Sequence, residues 1–114
     1  MCLDIITREF EGKEGEGYKV IYLSDLRTVN EMFPLRKRVW NKAKNVKISC
    51  RSAEFDDWYI SGFHIFTSLK SARKWRRYFP GRIVKVKYRK GWILGKQDGM
   101  NIIVANEMKL LEEI

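Results

Sequence analysis

Residues 59–89 read YISGFHIFTSLKSARKWRRYFPGRIVKVKYR, and this stretch decides the fold. It predicts a strand, a capped helix and a second strand in succession. Ser68 is the expected N-cap, because its hydroxyl can accept from a free backbone N–H of the first turn. Wound at 3.6 residues per turn, Leu69, Ala72, Trp75 and Phe79 fall on one side. Lys70, Arg73, Lys74 and Arg77 fall on the other, spaced i, i+3, i+4, i+7, with Arg76 at the edge of the apolar stripe. Pro80 cannot continue a helix and Gly81 tolerates left-handed dihedrals, so the helix is expected over about 68–79. The segment RIVKVKYR then alternates: Val84, Val86 and Tyr88 share one strand face, and Lys85, Lys87 and Arg89 the other.

Upstream, CLDIIT (2–7) reads as a first strand. REFEGKEGEG (8–17) carries three glycines and mixed charge, which predicts an exposed loop. YKVIYL (18–23) is β-branched and aromatic and reads as a second strand. SDLRTVNEMF (24–33) predicts a short helix capped by Ser24 or Asp25, closed by the bias of Phe33 before Pro34. Residues 35–50, LRKRVWNKAKNVKISC, read either as a helix around 39–44 with an extended 46–50, or as a basic loop. Residues 52–57 read as a turn. In SGFHIF (61–66) Phe63 and Ile65 share one face and His64 and Phe66 the other, with Gly62 marking a bulge or a close backbone approach. Downstream, Trp92-Ile93-Leu94 reads as a short strand and Gln97-Asp98-Gly99 as a turn. Residues 102–111 form a closing strand, bent near Asn106.

Several of these blocks together resemble short uncharacterised proteins of archaea, bacteria and their viruses. The blocks are the MCL start, YKV, SGFHIF, Ala72 in the following helix, IVKVKYR, GKQ and IVANEM. The resemblance implies one compact unit, no particular activity and no site residues. Residues 36–51 have no counterpart in it.

At 114 residues the chain fits one domain, 1–114, able to bury a core. Its 45% hydrophobic and 13% aromatic content argues against disorder. No apolar run approaches the ~20 residues of a membrane span, so no membrane role is expected. A basic segment followed by an apolar one is missing near Met1, so no signal peptide is expected. Two cysteines, Cys2 and Cys50, are too few for a disulfide framework and point to a reduced, cytoplasmic setting.

The formal charge is +9, unevenly spread. Residues 1–35 are slightly acidic. Between positions 36 and 53 every charge is positive, and no carboxylate lies between Asp57 and Asp98. Such segregation produces a directional field of the kind that attracts polyanions. Lys and Arg side chains meet phosphates, and Tyr78 or Trp92 nearby could stack on bases. The candidate nucleic-acid-binding residues are Lys70, Arg73, Lys74 and Arg77 on the helix, and Lys85, Lys87 and Arg89 on the strand. No helix-turn-helix, zinc-finger, KH or RRM signature is present, and GKEGEG lacks the GxxxxGK[ST] pattern of a phosphate loop.

Other chemistry is weaker. His64 could serve as a general base near neutral pH, but catalysis requires a positioned partner. Cys2, beside a free α-amine once Met1 is removed, could be a nucleophile; a small buried hydrophobe is the simpler reading. Cys2, Cys50 and His64 lack metal-ligand spacing, so no metal or cofactor is expected. The tryptophans are expected in the core and at its rim. The expectation is a single α+β domain in which a mixed or mostly antiparallel sheet of four to six strands packs on one main amphipathic helix. Its expected function is non-enzymatic binding of nucleic acid or another polyanion. An interaction module docking an acidic protein, and a small enzyme using His64 or Cys2, are the alternatives.

Overall fold

The computed structural model describes residues 3, 5–21, 35–44, 47–49, 58–60, 62–78 and 81–114. In chain order the elements are β1 (Ile5–Ile21), β2 (Asn41–Lys42), β3 (Lys47–Ser49), β4 (Trp58–Ile60), β5 (Phe63–Phe66), α1 (Leu69–Arg76), β6 (Arg82–Gln97) and β7 (Met100–Glu113). The expected helix at 24–33 and the turn at 52–57 lie outside the described residues, as do Cys2, Phe79 and Pro80.

β6 runs unbroken from Arg82 to Gln97, but its inside–outside alternation changes phase at Arg89–Lys90, where Lys90 has φ 56° and the register with β7 shifts between Gly91 and Ile93. Its Trp92-Ile93-Leu94 segment is a continuation of that strand and not a separate one. Asp98 and Gly99 then make a two-residue hairpin, at φ 49° and 78°. Both values are positive, as the type I′ turn that best fits strand twist requires, and Asp-Gly tolerates them. Met100 pairs back on Gln97, and β7 returns along β6 as far as Glu113.

β1 corrects another expectation. The glycine- and charge-rich residues 8–17 are not a loop: β1 passes through them, paired antiparallel with β6. Pairing with a long partner overrides their weak strand propensity. The irregularity shows as register shifts between Ile6 and Arg8, Glu9 and Lys13, and Lys13 and Gly15. Bulges of this kind bend a strand and increase its twist. Residues 39–44 are also not helical, since Asn41 and Lys42 pair with Met108 and Glu107 of β7.

β1 pairs with β6, β6 with β7, β7 with β5, and β5 with β1 through Tyr18 and Phe66. These pairings close a ring, so the sheet curls on itself, with β2 beside β5 along β7. Every pairing between the described strands is antiparallel, and β3 with β4 forms a separate ribbon. The described residues form a small, sheet-dominated fold with one short helix. No helix among the described residues is long and apolar enough to cross a membrane.

Consecutive residues alternate between two apolar clusters. Val20, Phe66, Ile83, Ile102 and Val104 belong to one, which receives Ala72 and Trp75 of α1. Ile21, Ile65, Val84, Ile103 and Ala105 belong to the other, with Leu35 and partly buried Ala43 against it. Sheet alternation thus supplies two cores from one set of strands.

Gly62 is a close approach, as its sequence context suggested. A Cβ there would sit 2.5 Å from the Ala105 carbonyl oxygen and 2.8 Å from the Trp92 ring.

Candidate polyanion-binding face

α1 begins as the sequence predicts. Ser68 is extended, at φ −135° and ψ 149°, and its Oγ accepts from the Ser71 N–H at 3.2 Å. The helix is shorter than the expected 68–79. Arg77 N–H bonds to the Lys74 carbonyl and Tyr78 N–H to the Trp75 carbonyl, an i to i−3 tightening that ends the last turn. Ala72 and Trp75 are buried and Leu69 half-buried, with Trp75 tilted against Phe66 at 6.1 Å between ring centres.

On the opposite side Lys70, Arg73, Lys74 and Arg77 are all exposed, and so is Arg76. No carboxylate pairs with any of the five among the described residues. Lys74 Nζ reaches only the Asp98 backbone carbonyl, at 3.5 Å. The first turn has no acidic residue, while Arg73, Lys74 and Arg76 crowd the last. Cations there complement the negative end of the helix dipole, which accounts for their tolerance but not for Lys70. Lys70 to Arg77 spans about 10 Å of helix axis at 1.5 Å per residue. Tyr78 follows at 69% exposure. Trp92 is different: it is half-buried and packs on the α1-side core.

The strand cations lie on the same side of the sheet as α1. Ile83 belongs to the core that α1 covers, and Lys85, Lys87 and Arg89 follow it at two-residue steps. They are not equivalent. Lys85 Nζ sits 3.4 Å from Glu16, both half-exposed. Lys87 is exposed and has no ion-pair partner among the described residues. It stands directly across from Lys109 in the β6–β7 ladder, a like-charge pairing. Arg89 is held internally. Its Nε donates to Glu107 at 2.6 Å, and its guanidinium lies 4.0 Å from the centre of the Trp40 ring. Glu107 is 2% exposed, and Lys90 also approaches it at 3.5 Å. The Arg89 hydrogen bond, above all, holds the Glu107 carboxyl below its ordinary pKa, against a smaller opposing effect of desolvation.

The sequence marks Trp40 as a core, rim or partner-patch residue, but not its stacking with Arg89, and it does not mark Lys109. Lys109 Nζ lies 4.8 Å from the centre of the same indole. Trp40 and Lys109 are 69 positions apart, and only the Asn41–Met108 pairing of β2 with β7 brings them together.

His64 is closed off at 6% exposure. Its Nδ1 lies 3.1 Å from the Gly62 carbonyl, so in the neutral ring Nδ1–H donates and Nε2 carries the lone pair. Lys19 Nζ donates to the His64 backbone carbonyl at 2.8 Å. Burial first, and the Lys19 charge second, lower the His64 pKa from 6.5 to about 3, with the Gly62 hydrogen bond opposing slightly. The imidazole is therefore a neutral, interior group. Among the described residues no three His, Cys, Asp or Glu side chains gather as a metal site. No family model, curated protein or solved structure matches this chain.

Proposed function

We propose that this protein is a non-enzymatic polyanion-binding module, with nucleic acid as its ligand. One observation carries the reading: α1 holds Lys70, Arg73, Lys74 and Arg77 outward with no carboxylate of the described chain neutralising them. Such cations release condensed counterions when they meet phosphates. Lys87 adds a further exposed cation on the same side, and Lys85 joins it at the cost of loosening from Glu16. Arg89 contributes less, because Glu107 and Trp40 already hold it. Exposed Tyr78 offers a ring for an unstacked base, which favours single strands over duplex.

The experiment is a competition titration with a labelled single-stranded oligonucleotide against unlabelled single strand, duplex and heparin. Single strand should compete best. Equal competition by heparin would mean charge alone is read. An acidic protein as the true partner would show as no binding of any nucleic acid at low salt.

A further inference from the structure

Residues 36–39 form a second cationic site, remote in sequence from α1. Asn41, 8% exposed, clamps this loop with its whole amide. Its Oδ1 accepts from the Arg36 N–H at 2.8 Å. Its Nδ2 donates to the carbonyls of Arg36, Val39 and Met108 at 3.0, 3.2 and 3.1 Å. The last of these bonds ties the loop to β7. Lys37 bridges Leu110, and Arg38 sits at φ 60°, a left-handed conformation that residues with a Cβ avoid. The Asn41 hydrogen bonds fix the backbone from which the Arg38 side chain projects.

Beside the loop lies a cavity of about 160 Å³. Its cations are Lys37, Arg38 and Arg82, and its floor is Ile21, Val84 and Leu110. Glu112 and Glu113 stand at the rim, with Glu113 3.6 Å from Arg82. Lys37 and Arg38 are exposed and have no ion pair among the described residues. The cavity is open to solvent and has room for a phosphate group with a few further atoms.

We propose that this pocket binds a phosphomonoester. Lys37 and Arg38 meet the phosphate, Arg82 flanks it, and the apolar floor takes the adjoining carbon atoms. Arg82 is paired with Glu113, so Lys37 and Arg38 stand against Glu112 alone, and the roughly −1.5 to −2 charges of a monoester at pH 7 draw on both cations more than the single charge of a diester does. Two sources share this chemistry: a free mononucleotide and the 5′-phosphorylated end of a nucleic acid. The site does not depend on the α1 face.

The test compares a 5′-phosphorylated oligonucleotide with its 5′-hydroxyl twin, by anisotropy, and adds AMP as competitor. The phosphorylated end should bind about tenfold tighter, the scale of one charge-assisted hydrogen bond. Arg38→Gly keeps the Asn41 clamp and relieves the backbone, so its melting temperature should hold or rise while the preference disappears. Glu112→Gln should strengthen the preference. Competition by AMP assigns the pocket to free monoesters, and competition by the phosphorylated strand alone assigns it to nucleic-acid ends. Equal binding of the two oligonucleotides with no AMP binding overturns the proposal, as does a preference that survives Arg38→Gly combined with Lys37→Gln. Neither result touches the α1 reading, which the 5′-hydroxyl strand tests by itself.

Discussion

His64 is the chain's single histidine, so its titration can be isolated. Its pKa falls from 6.5 when unfolded to about 3 when folded. Between those values the unfolded chain binds a proton that the folded one refuses. Stability is therefore full above pH 6.5 and declines as pH drops toward 3, by about 1.4 kcal/mol per pH unit. Urea unfolding at pH 6.5 and pH 5 should differ by about 2 kcal/mol from this group, and His64→Gln should remove that difference. An NMR titration of the His64 ring showing an ordinary pKa in the folded state would contradict the assignment. Glu107 makes a second test. A double-mutant cycle on Arg89→Ala and Glu107→Ala should give a coupling of about 1–3 kcal/mol, and additive effects would show that the pair is idle. Neither role was legible beforehand. His64 and Glu107 are set by what packs over them, and nothing in their sequence neighbours marks Lys19 or Arg89 as the partner.

Elements with a local cause were legible. Ser68, the apolar spacing of Leu69, Ala72 and Trp75, the alternation after Arg82 and the Asp98-Gly99 turn each act within a few residues, and each stands where the pattern put it. Ser68→Ala should cost about 1 kcal/mol through loss of the cap, read as a lower urea midpoint with unchanged slope. A midpoint equal to wild type would mean the Ser68 hydroxyl contributes nothing. What failed were segments whose structure comes from distant partners. Residues 8–17 look like a loop because glycine and charge are poor strand formers, yet pairing with β6 makes them strand. Residues 39–44 read either as helix or as basic loop, yet β7 takes Asn41 and Lys42 as a short strand. Gly62 reads as a bulge or a close approach, and Gly62→Ala should destabilise by about 1–3 kcal/mol because the Ala105 carbonyl must move. Wild-type stability in that variant would show the backbone there to be slack.

At the scale of the molecule, strand alternation puts Lys85 and Lys87 on the sheet face that α1 covers. The charge segregation was visible in the sequence. The division of labour among the cations was not, because Arg89 and Lys85 look like Lys87 until Glu107 and Glu16 are placed beside them. The measurement that bears most directly on the central claim is the salt dependence of oligonucleotide affinity, compared between wild type and Lys70→Gln/Arg73→Gln. Each phosphate contact to a single strand contributes about 0.7 to the slope of log K against log salt. Measurable binding is expected at low salt, with a slope shallower by about 1.4 in the double variant. Absent binding at low salt, or an unchanged slope, would contradict the central claim.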